Sequence, residues 1–241
     1  MSLLNVSDVK AYVAQFDLTP GMLKHRIKSI YKVLDPTDVT SLAEGSRLGL
    51  AMGEIEYQGI WRDDATYNQL AAYGLLGSNT DSPWSTFLGE TVGNPSVHTE
   101  AKTSGLKVPL PFADLVRIEI HHVNQRAVEY GKVQYAKTTI TATTSSTALD
   151  NAAESTAGGS WYYHVFAWSA AGGNARWQLS IQESSDNGAD AYADKDGPYN
   201  VSAVGGARKA IAGTIERYTK FKATLDATSG SITVAAALRR A

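Results

Sequence analysis

The stretch GEIEYQGIWRD, residues 53–63, indicates the fold class of the chain because its side chains alternate in polarity. A β-strand places successive side chains on opposite faces of a sheet, so this alternation predicts a strand with one buried and one solvated face. The predicted faces consist of Ile55 and Tyr57 on the buried side and of Glu54, Glu56 and Gln58 on the solvated side. We therefore expect a chain built mainly of β-strands.

A short helix is predicted after this strand, over residues 65–73. Asp63 and Asp64 are suited to cap its first turn, and Gly74 is suited to the left-handed position that ends a helix. Its apolar stripe consists of Tyr67, Leu70, Ala71 and Tyr73. A stripe of this kind predicts a helix that packs against one side of a β domain.

A long loop is predicted before the strand, over residues 35–52. Asp35 and Pro36 begin it, and Gly45 and Gly49 follow among Ser and Thr residues, a composition typical of turns. Loops longer than about 12 to 15 residues are uncommon in compact domains unless they bind something or are disordered. A segment of this length therefore either binds something or is disordered.

The rest of the first half is less regular. Alternating or β-propensive runs at residues 115–123 and 132–141 predict two more strands. Residues 27–34 fit the spacing of a helix or of a strand. Residues 77–105 are rich in Gly, Ser, Thr, Asn and Pro, which predicts an extended segment with few regular elements.

The second half has a rhythm of short strands and turns. Strands are predicted at residues 161–169, 175–181, 215–225 and 231–238. Several short strands at this spacing favour a small β-sandwich of the immunoglobulin-like kind. The preceding stretch, residues 141–160, is rich in Thr, Ser and Ala, so we place a domain boundary near Thr143.

Two groups of motifs resemble the major tail tube protein of long-tailed bacteriophages. The first comprises VLDPTDVTSL (33–42), RLGLAMGEIEYQGIWRDD (47–64) and ATYNQLAAYG (65–74). The second comprises an aromatic strand, a Gly-Gly turn, LSIQESSDNGADAYAD (179–194), GTIERYTKFKATL (213–225) and a terminal apolar strand. Together they touch well over half of the chain, without an invariant motif.

The resemblance implies a mainly β fold in two domains. Residues 1–142 would form a tail-tube-type β-barrel or sandwich that includes the loop at 35–52 and the short helix at 65–73. Residues 143–241 would form the small C-terminal immunoglobulin-like β-sandwich. The resemblance also favours a strand over a helix at residues 27–34.

The resemblance further implies a structural virion protein that self-assembles. Its copies would form hexameric rings, whose sheets join edge to edge into a closed inner barrel, and the rings would stack into the tube that delivers the genome. Its partners would be other copies of itself and tail proteins such as the tape measure, terminator and baseplate components. DNA would transit without specific binding, no membrane would be involved, and the protein would be assembled in the host cytoplasm and reside in the virion tail.

Two sets of residues are candidates for these contacts. The candidate lumen-facing residues are Glu54, Glu56, Gln58 and Glu119, whose carboxylates would repel phosphate. The candidate inter-subunit residues of the long loop are Asp35, Pro36, Leu42, Leu48 and Leu50. The alternative for the carboxylates is a solvated strand face with no further role, and Arg117 and Lys132 on or near the same strands argue against a purely acidic lumen.

Composition narrows the classes of function. The chain has 241 residues, a formal net charge of -2 and no cysteine. Tight electrostatic binding of nucleic acid is not favoured by this charge, and cysteine-based catalysis, disulfides and thiolate metal sites are excluded. No apolar run reaches the roughly 18 to 20 residues that span a bilayer, and the N-terminus does not have the pattern of a leader.

No catalytic motif stands out, so we expect neither an enzyme nor a cofactor nor a metal site. His121 and His122 are adjacent and would point to opposite faces of a strand, whereas His25, His98 and His164 are scattered. Asp186, Asn187, Asp190, Asp194 and Asp196 suggest oxygen ligands for calcium but lack the spacing of an EF-hand. A polar surface loop is the preferred interpretation.

A glycan-binding module is the alternative function. The candidate platform comprises Trp161, Tyr162, Tyr163, Phe166, Trp168 and Trp177. Aromatic faces stack on sugar rings, but alternation along a strand would place about half of these side chains in a core. Core packing is therefore the preferred interpretation of this set.

Overall fold

The structure is a computed structural model that describes residues 8–34, 47–60, 81–107, 117–124, 126–187 and 189–241. Within these residues the chain forms sixteen β-strands and no α-helix. The prediction of a mainly β chain is confirmed. The helix predicted at residues 65–73 lies outside the described residues.

The strands are β1 (Val9–Val13), β2 (Phe16–Asp17), β3 (Met22–Leu34), β4 (Arg47–Ile60), β5 (Ser82–Leu88), β6 (Pro95–Lys107), β7 (Arg117–Asn124), β8 (Glu129–Ile140), β9 (Thr144–Ser145), β10 (Leu149–Asp150), β11 (Gly159–Ala171), β12 (Arg176–Ser184), β13 (Ala193–Val201), β14 (Gly205–Ile211), β15 (Tyr218–Asp226) and β16 (Ser229–Arg240).

The chain divides into two compact units. Unit 1 comprises Met1–Thr19, Pro83–His98 and Glu129–Ala241, and unit 2 comprises Pro20–Ser82 and Thr99–Val128. This division differs from the one predicted at residues 142 and 143. The physical reason is that β8 pairs with β16 along most of its length, so residues 129–140 belong with the C-terminal strands.

Unit 1 contains two antiparallel sheets. One has the strand order β14–β11–β16–β8–β6–β5–β1–β2, and the other has the order β10–β15–β12–β13, with β9 also on β15. Trp161 of β11 lies opposite Leu238 of β16, and Trp177 of β12 lies opposite Leu225 of β15. The immunoglobulin-like arrangement of these strands stays a prediction.

The main core of unit 1 lies between side chains from both sheets. Trp161 and Val234 come from the first sheet, and Trp177, Leu179 and Phe221 come from the second; all five are 0% exposed. A second cluster joins Tyr12, Phe87 and Val133 with two alanines of β16. Burial of this apolar area is the main favourable term in folding of unit 1.

Unit 2 contains four antiparallel strands in the order β3–β4–β7–β6, to which β6 contributes its second half. β3 and β4 are 13 and 14 residues long, which is well above the usual strand length of about 5 to 6. The prediction of a strand at residues 27–34 agrees with β3.

Two predicted segments differ from the structure. Residues 47–52 were expected in the long loop but belong to β4, because Leu48, Leu50 and Met52 continue the period-two pattern of that strand and β3 pairs with it there. Residues 77–105 were expected to contain few regular elements, yet β5 and most of β6 lie there. Residues 35–46 lie outside the described residues.

Candidate assembly face

The polar face of β4 forms as the alternation predicted. Ile55 and Tyr57 are 0% and 2% exposed, whereas Glu54, Glu56 and Gln58 are half-buried on the other face of the strand. Glu119 of β7 lies opposite Gln58, and the Gln58 amide Nε2 donates to Glu119 Oε1 at 3.3 Å. The structure thus brings all four candidate lumen residues to one sheet, and the lumen role of that sheet stays a prediction.

Basic residues of β3 lie opposite this polar face of β4. Arg26 is in register with Glu56, and the Arg26 Nη1 to Glu56 Oε2 distance is 3.9 Å. Lys24 is in register with Gln58 and is exposed. An exposed ion pair of this kind contributes only about 0 to 1 kcal/mol, but it balances the charge of the face. The face we call the candidate assembly face, formed by β3, β4 and β7, is therefore mixed in charge.

β3 lies at one end of the strand order of unit 2. Within the described residues it pairs with β4 alone. A long strand with one unpaired side presents a row of backbone N–H and C=O groups that can pair with another chain. Charged side chains such as Lys24 and Arg26 on such a strand discourage indiscriminate pairing. The unpaired side of β3 can therefore accept a further strand. This is a structural role and not a catalytic one.

The candidate residues of the long loop are only partly located. Asp35, Pro36 and Leu42 lie outside the described residues. Leu48 and Leu50 lie in β4, and Leu48 is in register with Val33 of β3. These two leucines are therefore strand residues, and a contact between subunits through them stays a proposal.

The structure also brings together two histidines that no sequence pattern connects. In unit 1, His98 Nδ1 and His164 Nε2 both lie within hydrogen-bond distance of Ser85 Oγ, at 2.8 and 2.7 Å. His98 Nε2 lies 2.7 Å from Ser96 Oγ, and His164 Nδ1 lies 2.8 Å from the carbonyl oxygen of Ala14. We call this set the histidine network. Because its members come from β5, β6, β11 and the β1–β2 turn, no local spacing could have revealed it.

The histidine network is closed to solvent. Ser85 and His164 are 0% exposed, and His98 is 1% exposed. Burial, which disfavours a charged ring, lowers the pKa of His98 to about 3 and that of His164 to about 4. Both rings are therefore neutral at pH 7. Since a substrate could not reach these groups, the arrangement does not have the access that a catalytic site needs.

An ion pair borders the network. Glu129 Oε1 accepts from Arg208 Nη2 at 2.7 Å, and Glu129 Oε2 accepts from the hydroxyls of Ser160 and Tyr162. Burial opposes ionisation of Glu129, but the hydrogen bonds from Arg208, Ser160 and Tyr162 outweigh it and lower the pKa of this carboxyl. Tyr162 in turn stacks on His98, with ring centroids 4.6 Å apart.

The aromatic set proposed as a glycan platform is mainly core. Trp161, Tyr162 and Trp177 are each 0% exposed. The indole N–H of Trp161 donates to Asp196 at 2.6 Å, and that of Trp168 donates to the carbonyl oxygen of Val201 at 3.0 Å. These side chains therefore do not offer a flat exposed stacking surface, which removes the observation that motivated the alternative function.

The aspartates near β12 and β13 serve local hydrogen bonds. Asp194 accepts from Ser180 and Gln182, and Asp190 accepts from Ser184. In the described part of the chain, no group of three or more His, Asp or Glu side chains is placed to hold a metal ion. Nor do the described residues include a helix long and apolar enough to cross a membrane.

Comparison with known proteins gave matches only among solved structures. No protein-family model matches the chain, and no curated protein matches it. A chain of the virion of a gene transfer agent is 15% identical over 53% of this chain and 98% of its own, with a TM-score of 0.41. The SPP1 tail tube, determined by solid-state NMR and cryo-electron microscopy, is 12% identical over 52% of this chain and 78% of its own, with a TM-score of 0.43.

The SPP1 Dit (gp 19.1) protein, described as a hub of the adsorption apparatus in phages of Gram-positive hosts, matches over a longer range. It is 13% identical and covers 97% of this chain and 99% of its own, with a TM-score of 0.35. Of these structures, the SPP1 tail tube is of the kind that the sequence resemblance named. Because the identities and TM-scores are low, no residue role is transferred from them.

Proposed function

We propose that the chain is a structural protein of a phage-type tail, which self-assembles into hexameric rings that stack into a tube for genome delivery. The observation that carries the proposal is the sheet of unit 2, in which the 13-residue strand β3 pairs with β4 alone among the described residues. An unpaired strand of this length promotes aggregation of a monomer, whereas in an assembly it provides a contact for the next subunit.

One end of the unit 2 sheet can accept another strand. β3 pairs with β4 alone among the described residues, whereas β6, at the other end of the order β3–β4–β7–β6, is also paired with β5 and β8. A second copy can therefore pair a different edge of its own with the β3 of the first. Such a contact is head-to-tail, and when the rotation between copies closes, it forms a ring without open edges.

Electron microscopy and light scattering of the purified full chain test this proposal. We expect rings or hollow tubes, and a protein that stays monomeric at every concentration up to the solubility limit, with or without purified tail tips as initiators, would overturn it.

Proline substitutions in β3 test the edge contact itself. Neighbouring residues of a strand direct their N–H groups to opposite sides, so His25→Pro and Arg26→Pro remove one donor toward β4 and one toward the open side. The variant that removes the donor on the open side should stay folded by circular dichroism yet fail to assemble. The variant that removes the donor toward β4 should be destabilised. Arg26→Ala is the matched control for the lost charge and should still assemble. Normal assembly of whichever proline variant stays folded would contradict the edge contact.

The lumen assignment of Glu54, Glu56, Gln58 and Glu119 belongs to the same proposal. Replacing Glu54 and Glu56 by Lys should slow DNA ejection from particles, because each added cation increases the attraction of the wall for phosphate. Glu154→Lys makes the same change of charge at an exposed position of unit 1 and should leave ejection unchanged. If ejection proceeds at the normal rate in the double variant, these residues do not line the lumen.

A further inference from the structure

The hydrogen bonds of the histidine network have only one possible direction when both rings are neutral. The Ala14 carbonyl oxygen carries no proton, so His164 Nδ1 must donate to it, and His164 Nε2 is then an acceptor. The Ser85 hydroxyl therefore donates to His164 Nε2 and accepts from His98 Nδ1. His98 Nε2 is left as an acceptor, and the hydroxyl of Ser96 donates to it.

We propose that Ser96, His98, Ser85, His164 and the Ala14 carbonyl form an acid-operated hydrogen-bond relay, which takes up one proton by reversing its direction and opens unit 1 when it takes up a second. The relay connects the β1–β2 turn to β5, β6 and β11, so it links an N-terminal segment to strands far along the chain.

The first proton is accommodated by a shift of the existing ones. When His164 is protonated at Nε2, this nitrogen becomes a donor to Ser85 Oγ, and the Ser85 hydroxyl turns toward His98 Nδ1. His98 must then carry its single proton on Nε2 and donate to Ser96. The bonds between Ser96 and His164 survive with their direction reversed and the bond to Ala14 is unchanged, while one positive charge is added and the buried Ser96 hydroxyl gives up its acceptor in the relay.

The second proton cannot be accommodated in this way. A protonated His98 donates from both nitrogens, so Ser85 Oγ lies between two donors and its own hydroxyl proton has no acceptor in the relay. Two buried hydroxyls, of Ser85 and Ser96, then have no acceptor in the relay, and these donors together with two neighbouring imidazolium charges oppose the folded state. His164 takes the first charge because its Nδ1 keeps the Ala14 carbonyl oxygen as an acceptor, whereas a charged His98 would have only the hydroxyls of Ser85 and Ser96.

The surrounding groups do not remove this requirement. His98 is faced by Tyr162 of β11 and, at longer range, by Glu129 of β8, whose charge is paired with Arg208 of β14. His164 is faced by Tyr12 of β1 and, at longer range, by Asp17 of β2, which is paired with Lys137 of β8 at 2.6 Å. Both carboxylates favour the charged rings, but each is already bound to a cation.

Nitrogen NMR of histidine-labelled full-length protein tests the relay without any substitution. At neutral pH, we expect both His98 and His164 to carry their proton on Nδ1. On acidification, His98 should move its proton to Nε2 as His164 becomes charged, and before His98 itself titrates. Any of three results would overturn the proposal: a ring protonated on Nε2 at neutral pH, titration of either ring near its usual pKa of 6.5, or a His98 tautomer that does not change as His164 titrates.

A variant pair adds a second readout. Ser85→Ala removes the shared hydroxyl, so the His98 tautomer should no longer respond to His164. Ser96→Ala keeps that coupling but removes the acceptor of His98 Nε2 in the reversed relay, so the tautomer should still respond, at a lower pH. In the wild type, the unfolding equilibrium constant should rise about tenfold per histidine for each pH unit below 6.5. If Ser85→Ala does not fold, the wild-type tautomers decide the question.

Discussion

Replacing Glu129 by Gln should destabilise unit 1 strongly. The Glu129 and Arg208 side chains are only 11% and 12% exposed, and one oxygen of Glu129 accepts from Arg208 at 2.7 Å. The other oxygen accepts from Ser160 and from Tyr162, the latter at 2.8 Å. A glutamine side chain has nearly the same shape but carries no charge, and one of its two polar atoms donates where Glu129 accepts.

The expected magnitude follows from the charge that is left behind. Removing one partner of a buried ion pair costs about 3 to 5 kcal/mol, because the remaining charge stays out of water without compensation. We expect about 3 kcal/mol, the lower end, because the glutamine amide keeps one acceptor for Arg208. For a chain of this size, such a loss lowers the melting temperature by about 6 to 12 °C.

Tryptophan fluorescence during urea unfolding measures this loss in unit 1. Four of the five tryptophans of the chain, Trp84, Trp161, Trp168 and Trp177, lie in residues 83–98 and 129–241. The free energy of unfolding should therefore fall in the transition that these residues report. A loss below about 1 kcal/mol, the range of surface pairs, would refute the argument from burial.

Asp150→Asn is the matched control. Arg217 Nη2 and Asp150 Oδ2 are also 2.7 Å apart, but both side chains are 45% exposed. Hydrogen bonds from Arg217 lower the pKa of Asp150 to about 2, yet solvent screens this pair, so its removal should hardly change stability. Equal losses in the two variants would show that bond length, and not burial, sets the contribution of each pair.

Three further predictions concern unit 1. The folded pKa values of His98 and His164 lie below the unfolded value, so the unfolded chain binds more protons below pH 6.5. The contribution of these histidines to stability is therefore full above pH 6.5. Below that pH the free energy of unfolding should fall by about 1.4 kcal/mol per histidine per pH unit until the folded pKa is reached. Acid titration of unfolding checks this, and a flat profile from pH 6.5 to 4.5 would contradict it. Gly131→Ala should destabilise by about 1 to 3 kcal/mol, because the added Cβ would lie 2.6 Å from a backbone oxygen of β16; an unchanged urea midpoint would show that β8 and β16 can separate without cost. Trp161→Ala should cost about 3 to 5 kcal/mol through the cavity and the lost bond to Asp196, whereas an unchanged stability would place the ring outside the core.

The sequence predicted strands well where the signal is local. Ile55 and Tyr57 alternate with polar neighbours, and one face of β4 is buried as this alternation requires. The same reasoning missed β5 and much of β6, because Ser, Thr, Gly and Pro dilute their β-propensity. β5 is held instead by its pairing with β1, from Val9 opposite Leu88 to Val13 opposite Trp84. Pairing over such a separation leaves no local trace.

The domain division and the histidine network could not be predicted for the same reason. Lys132 of β8 pairs with Leu238 of β16, although a turn-rich stretch that resembles a linker lies between them. His98 and His164 lie on different strands, and what connects them is the hydrogen bond that each shares with Ser85. The sequence shows that histidines and serines are present, but it does not show which of them lie close together in the fold or which way their hydrogen bonds run.

The charges of the candidate assembly face change the reason why such a wall would release DNA. Among the described side chains, Lys24 and Arg26 on β3 accompany Glu54 and Glu56 on β4 and Glu119 on β7, which leaves a formal charge of -1. Phosphate binds to cations that it can neutralise, and a cation already paired with a carboxylate gains less from it. If this face lines a tube, its carboxylates therefore act first by occupying the cations of β3, and repulsion of the duplex is the smaller effect. The residue to vary is then Arg26 as much as Glu56: Arg26→Gln should restore ejection to particles that carry Glu56→Lys, since it removes the neighbouring cation that Glu56 had neutralised.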